Sequence, residues 1–177
     1  MKKKSIWDMH RLSADEYRDS KKMPLVVVLD NVRSLNNIGS LFRTCDCFSA
    51  TGIVLCGISA TPPSAEIHKT ALGAEDTVEW HYFADTREAV DTLRRQGYNI
   101  VCLEQVQGSI SLEDFRADKN SRYALVLGNE VDGVQQEIVD MADTVIEIPQ
   151  SGTKHSLNVT VSAAVTMWEF YRQTFLE

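Results

Sequence analysis

IEIPQSGTKHSLNVTVSAAVTMWEFYRQ, running from Ile146 to Gln173, is the stretch whose reading decides the fold. A short β-rich run ends at Pro149, a polar loop with one glycine follows, and a long helix with apolar periodicity opens near Ser156. A strand that feeds a helix through a polar turn aims unpaired N–H groups and a strip of loop backbone at one point, where a polar ligand can be held. NNIGSLFRT (Asn36 to Thr44) and LVLGNEVDGV (Leu125 to Val134) have the same strand, polar turn, helix layout. The chain reads as built around the meeting of these three.

Working outward, Ser13 and Glu16 make a capping-box pattern for a short helix over about residues 13–20. LVVVLD after Pro24 is a continuous run of the kind buried on both faces of a sheet. NVRSLNN is a turn, and IGSLFRTCDCF a helix capped by Asn36 or Asn37. GIVLCG is a second strand, Pro62, Pro63 and Ser64 start a short helix ending near Gly73, and TVEWHYF is a more exposed strand. Asp85 and Glu88 open the next helix and Gly97 closes it. YNIVCLE, YALVLG and TVIEIP are the remaining strands, with QQEIVDMA a short helix between the last two. Strands alternate with helices, so the class is α/β: one domain with a mostly parallel sheet. The polar turns at Asn31–Asn37, Leu103–Ser111, Gly128–Gly133 and Gln150–Ser156 all follow strands and should share the carboxyl edge of that sheet, where ligands bind.

Composition narrows the classes. A chain of 177 residues with 44% hydrophobic content supports a full core, and no apolar run approaches the ~18 residues of a membrane span. No secretory signal is visible behind the basic N-terminus. Cys45, Cys47, Cys56 and Cys102 form no CxxC pair and have no histidine at metal-ligand spacing, which suits idle thiols in a reducing cytoplasm. Net charge is −7, against a nucleic-acid role, but the first 22 residues carry seven Lys/Arg and four Asp/Glu. Residues 1–22 therefore read either as a basic arm that touches phosphate or as a solvated tail.

The usual nucleotide motifs are absent: GNEVDG lacks GxGxxG spacing, and there is no GxxxxGK[ST] loop. Ser151, His155 and Asp132 could be assembled into a hydrolase triad, but no serine sits in a GxSxG elbow. Arg43, six residues after Asn37 in an otherwise apolar helix, needs an anionic partner if it faces inward, either Glu130 or a phosphate; on the surface it is an ordinary salt-bridge residue. Asn37 as a cap, Asn158 in a first turn and Glu130 at a helix N-terminus also have plain structural readings.

Taken together, NNIGSLFRT, LVLGNEVDGV and IPQSGTKHSLNVTVSAA resemble, in order and spacing, the three motifs of the SpoU/TrmH family of RNA 2′-O-ribose methyltransferases in the SPOUT superfamily. The resemblance covers about residues 24 to 175. Gln150 stands where the family commonly has methionine, and Thr160 where serine is usual. It implies a SPOUT methyltransferase domain over residues 23–177, with helices on both faces of the sheet and a deep C-terminal trefoil knot, a rare exception to the rule that chains do not knot. It also implies a homodimer that binds S-adenosyl-L-methionine in the knot and methylates structured RNA, tRNA before rRNA. A non-catalytic RNA-binding dimer that kept the fold is the competing reading, which retention of Arg43, Glu130 and Asn158 together argues against.

Carried over by motif, the resemblance implies Asn37, Arg43, Glu130, Ser156 and Asn158 as the catalytic set. Glu130 would orient Arg43, and Arg43 would anchor the phosphate beside the reacting ribose or, on the alternative reading, itself take the hydroxyl proton. Leu103, Glu104, Leu127, Gly128, Ile148 and Leu157 would hold the cofactor, mainly through backbone groups. Larger relatives carry a separate RNA-binding domain, so recognition here would fall to Lys2, Lys3, Lys4, Arg11, Lys21, Lys22, Arg33 and Arg43. No metal and no membrane enter this picture.

Overall fold

The computed structural model describes residues 1–5, 8–9 and 11–176. Helix α1 (Ala14–Asp19) carries the expected capping box between Ser13 and Glu16. It is followed by β1 (Met23–Asp30), α2 (Leu35–Cys47), β2 (Ala50–Cys56), α3 (Ala65–Ala71), β3 (Trp80–Phe83) and α4 (Thr86–Arg95). The second half runs β4 (Tyr98–Leu103), β5 (Ile110–Ser111), β6 (Arg122–Leu127), α5 (Gln136–Met141), β7 (Thr144–Glu147) and α6 (Val159–Thr174).

The strands form one sheet in the order β3-β2-β1-β6-β4-β7-β5, and every pairing is parallel. The alternation along β1 shows why its sequence is apolar throughout. Leu25, Val27 and Leu29 face a core shared with α2, α3 and α6, while Val26 and Val28 face a second core shared with α4 and α5. Buried on both faces, such a strand has no polar side to show. TVEWHYF is the exposed edge strand that was expected, shortened to Trp80–Phe83.

Three local readings are corrected. Helix α2 is capped by Ser34, whose hydroxyl accepts from the Asn37 N–H, so neither Asn36 nor Asn37 is the cap. Helix α6 opens at Val159, three residues later than Ser156, with Asn158 as its N-cap. Strand β5, only two residues long, lies in what reads as loop, because periodicity has no purchase on so short a run. The free arm is also shorter than 22 residues: Tyr17 of α1 is buried in the larger core.

Three of the four thiols, Cys45, Cys56 and Cys102, are buried, and Cys47 is exposed. Burial pushes Cys56 and Cys102 up to about 12, so both stay protonated and unreactive. Among the described residues no helix is long and apolar enough to cross a membrane.

Candidate functional site

The four polar turns do share the carboxyl edge of the sheet. Three of them line a cavity of about 500 Å³, the connection after β4 (Leu103, Glu104, Gln105), the loop after β6 (Gly128 to Gly133) and the segment before α6 (Gln150, His155 to Asn158). The fourth, after β1, closes on it through Glu130.

The loop after β6 is tightly folded. Asn129 and Gly133 exchange backbone hydrogen bonds, and the Asn129 carboxamide oxygen accepts from the N–H groups of Val131 and Asp132, each at 2.8 Å. A Cβ on Gly128 would stand 1.9 Å from the Gly133 carbonyl carbon, so only glycine allows this closure. Gly133 has φ +70°, and a Cβ there would meet a Glu104 carboxylate oxygen at 2.1 Å. That carboxylate accepts from Val134 N–H and Gln105 N–H, both at 2.9 Å. Glu104 therefore holds the loop through its side chain. Gln105 in turn donates to the His155 carbonyl at 2.9 Å, tying the segment before α6 to the same wall.

A line of hydrogen bonds joins the three motif stretches. Thr160 donates through its N–H and hydroxyl to the Asn158 oxygen, at 2.9 and 2.6 Å. The Asn158 amide donates to the Asn37 oxygen at 3.3 Å, and the Asn37 amide donates to Glu130 at 2.8 Å. Glu130 also accepts from Arg33 N–H and Ser34 N–H, at 3.1 Å each. Threonine in place of serine at 160 thus keeps the hydroxyl that this line uses.

Partial burial pushes the Glu130 carboxyl up, but the donors Arg33, Asn37 and Ser34 outweigh it and hold the group below its ordinary 4.5. A depressed folded value gives stability that is complete above the unfolded value and lost as pH falls through the folded one. The melting-temperature gap between wild type and Glu130→Gln should therefore be constant above pH 4.5 and narrow below it. A gap that ignores pH would mean Glu130 is not held as an anion.

Arg43 does not pair with Glu130, contrary to expectation. Six residues of helix turn through about 600°, which leaves Arg43 about 120° around α2 from Asn37 and about 9 Å further along. It lies on the exposed side with Asn36 and Cys47, and among the described residues it has no hydrogen bond or ion pair. Arg33 reaches Asp132 across the loops at 3.9 Å, both exposed. Lys2, Lys3, Lys4 and Arg11 are exposed. Lys22 instead turns onto the Tyr17 ring, 3.2 Å from its centroid, and donates to the Tyr17 carbonyl; burial pulls its ammonium below the usual lysine range. Lys21 lies over Phe175 at 5.2 Å. Ser151, His155 and Asp132 are all exposed and no hydrogen bond joins them, so no triad is built.

Comparison with known proteins gives the family. The model of the SpoU rRNA Methylase family matches residues 24–168. A mouse tRNA (guanosine(18)-2′-O)-methyltransferase, TARBP1, is 31% identical over 157 residues, which is 86% of this chain and 10% of the mouse protein. The 23S rRNA (guanosine-2′-O-)-methyltransferase RlmB of Shewanella oneidensis is 28% identical over 159 residues, 90% of this chain and 63% of that protein. The chain thus spans less than two thirds of the length of these curated relatives. Among solved structures, the A. aeolicus TrmH/SpoU tRNA modifying enzyme superposes with a TM-score of 0.80 at 26% identity, over 90% of this chain and 80% of that one. The AdoMet-bound rRNA methyltransferase from Sinorhizobium meliloti gives 0.78 at 28% identity, over 88% and 59%. With the motif stretches joined by hydrogen bonds beside one cavity and the family model covering most of its length, this chain belongs to the SpoU rRNA methylase family.

Proposed function

We propose that the chain transfers a methyl group from S-adenosyl-L-methionine to a ribose 2′-hydroxyl of a structured RNA, tRNA before rRNA. One observation carries the reading: Asn158, Asn37 and Glu130, drawn from three distant stretches, form a single hydrogen-bonded line beside the cavity.

The residues present fit such a cofactor. At about 500 Å³ the cavity is within the range of small-molecule sites. Leu103, Leu127, Ile148 and Leu157 supply apolar wall, and Leu157 is 40% exposed, as suits a side chain that a flat base covers. Glu104, Asp132 and Glu147 make the lining acidic, which favours a ligand with positive charge. When bound, S-adenosylmethionine supplies an electrophilic methyl group on a cationic sulfur.

The chain's own groups align and stabilise. Asn37 and Asn158, held at both ends, fix the ribose hydroxyl in line, which is where positioning lowers the barrier. Glu130 spends its carboxylate on three donors and is a weak base, so it acts as a strut for Asn37 and the turn after β1. Arg43 anchors the adjacent phosphate, easing the charge that forms on the attacking oxygen. Ser156, exposed on the cavity wall, is placed to contact the same substrate.

Further features belong to this reading. The connection at residues 104–109 joins β4 to β5, which lie on either side of the later strand β7; a strand added between two earlier neighbours supports a trefoil knot. Val161, Val165 and Trp168, 42–49% exposed, form an apolar stripe along α6 that supports a homodimer. Lys2, Lys3, Lys4, Arg11 and Arg33 are the phosphate contacts, and a body of α1 plus residues 23–177 is the methyltransferase domain. Unpaired thiols support a cytoplasmic setting.

Transfer from labelled S-adenosylmethionine into tRNA and rRNA pools from a strain lacking the gene, followed by nucleoside analysis, tests the reading. Label in a 2′-O-methylated nucleoside is the expected result. Cofactor or RNA binding without label in either pool would move a non-catalytic RNA-binding dimer to the front.

A further inference from the structure

Asp30 closes β1 at the carboxyl edge of the sheet, and the reaction outlined above gives its side chain no part. It is fully buried, and a carboxylate taken from water persists only where donors replace the water. Its Oδ1 accepts from the Asn31 amide at 2.9 Å, the Thr86 hydroxyl at 2.7 Å and the Gln135 amide at 2.6 Å. Its Oδ2 accepts from the Gln135 N–H at 2.8 Å.

Two of these partners bound the site. Asn31 starts the turn whose Arg33 and Ser34 N–H groups hold Glu130. Gln135 directly follows the Gly128–Val134 loop that carries Glu130. Asn31 is itself fixed, with φ +57° and its oxygen accepting from Ile58 N–H at 3.2 Å. Glu130 is exposed, so its three bonds compete with water; those of Asp30 do not. The third partner, Thr86, opens α4 and lines no part of the cavity.

We propose that Asp30 is a positioning residue: its carboxylate sets the separation of the two loops between which Glu130, and through it Asn37, is placed. The proposal rests on the methyl-transfer reading of the site. Loosening this clamp shifts groups that must be aligned, and small misplacements cost large factors in rate.

Asp30→Asn keeps the size but turns an acceptor into a donor that faces donors. Single-turnover methyl transfer, measured where the variant is folded, should fall about 100-fold while cofactor Kd changes far less. Adding Gln135→Glu gives the new amide an acceptor and should recover most of the rate. Thr86→Val removes an equally buried bond to the same carboxylate on the side away from the cavity; it should lower Tm and leave the rate alone. If Asp30→Asn does not fold, Gln135→Met carries the test, since it removes only the 2.6 Å side-chain bond, and should slow transfer about 10-fold.

Hydrogen exchange of the free protein separates this proposal from the function it rests on. Arg33 and Ser34 amides should lose protection in Asp30→Asn and Gln135→Met but not in Thr86→Val, with no cofactor or RNA needed. A wild-type chain that transfers nothing would count against the function, and exchange would then decide the clamp. The clamp is refuted if both variants keep wild-type rates and protected Arg33 and Ser34 amides. It is equally refuted if Thr86→Val slows transfer as much as they do.

Discussion

Replacing Arg43 with alanine should lower methyl transfer about 100- to 1,000-fold while the fold and the cofactor affinity stay nearly intact. The separation follows from position. Arg43 is exposed, makes no hydrogen bond or ion pair among the described residues, and does not line the cavity, so its removal should change stability by no more than about 0.5 kcal/mol. On the proposed reading, what it removes is the guanidinium that holds the phosphate next to the reacting ribose. Melting, cofactor titration and turnover on one preparation check the three parts, and turnover close to wild type would dismiss Arg43 from the site. In the proposed homodimer, its distance around α2 from Asn37 would leave it to serve the partner's site. Mixing Arg43→Ala with Glu130→Gln chains, each inactive alone, should then restore activity. No recovery would place Arg43 in its own subunit's site.

Gly128→Ala should abolish cofactor binding in practice, weakening Kd about 100-fold or more. The new methyl group would fall 1.9 Å from the Gly133 carbonyl carbon and 2.1 Å from the Val134 nitrogen, and backbone cannot yield as a flexible side chain can. The loop must open by more than an ångström, which breaks the Asn129–Gly133 exchange and pulls Val134 from Glu104. Forced overpacking of this kind costs about 3 kcal/mol. Calorimetric titration with S-adenosylmethionine checks it; wild-type affinity would mean that the Gly128–Gly133 loop is not the cradle.

Local physics made much of the fold legible. LVVVLD announces a strand covered on both faces because any solvent side would have demanded polar residues. The caps of α2 and α6 slipped by a few residues because Ser34, Asn36 and Asn37, like Ser156 and Asn158, are all good cap residues, and only backbone geometry selects one. The site was legible as three stretches but not as a wiring diagram. Asn158 meets Asn37 across 121 residues, and Asn37 meets Glu130 across 93, separations that no local period records. The Glu130–Arg43 pairing fails on helical phase once Asn37 is known to meet Glu130, since six residues cannot bring Arg43 to the face of Asn37. Asp30 left a fainter trace: an acidic residue ending an otherwise apolar buried run, which calls for donors supplied from elsewhere.

The place of β7 in the sheet has a consequence for synthesis. Because β7 lies between β4 and β5, a ribosome delivering the chain from its N-terminus releases both neighbours before the strand that joins them. Until residue 147 has emerged, the nascent sheet ends at an unpaired, apolar β4 edge, of the kind that recruits other chains. At about 5–20 residues per second the 40-odd residues between β4 and the end of β7 take seconds to appear. Any shielding of that edge must come from the translation machinery or its chaperones, since the strand that covers it has yet to be made.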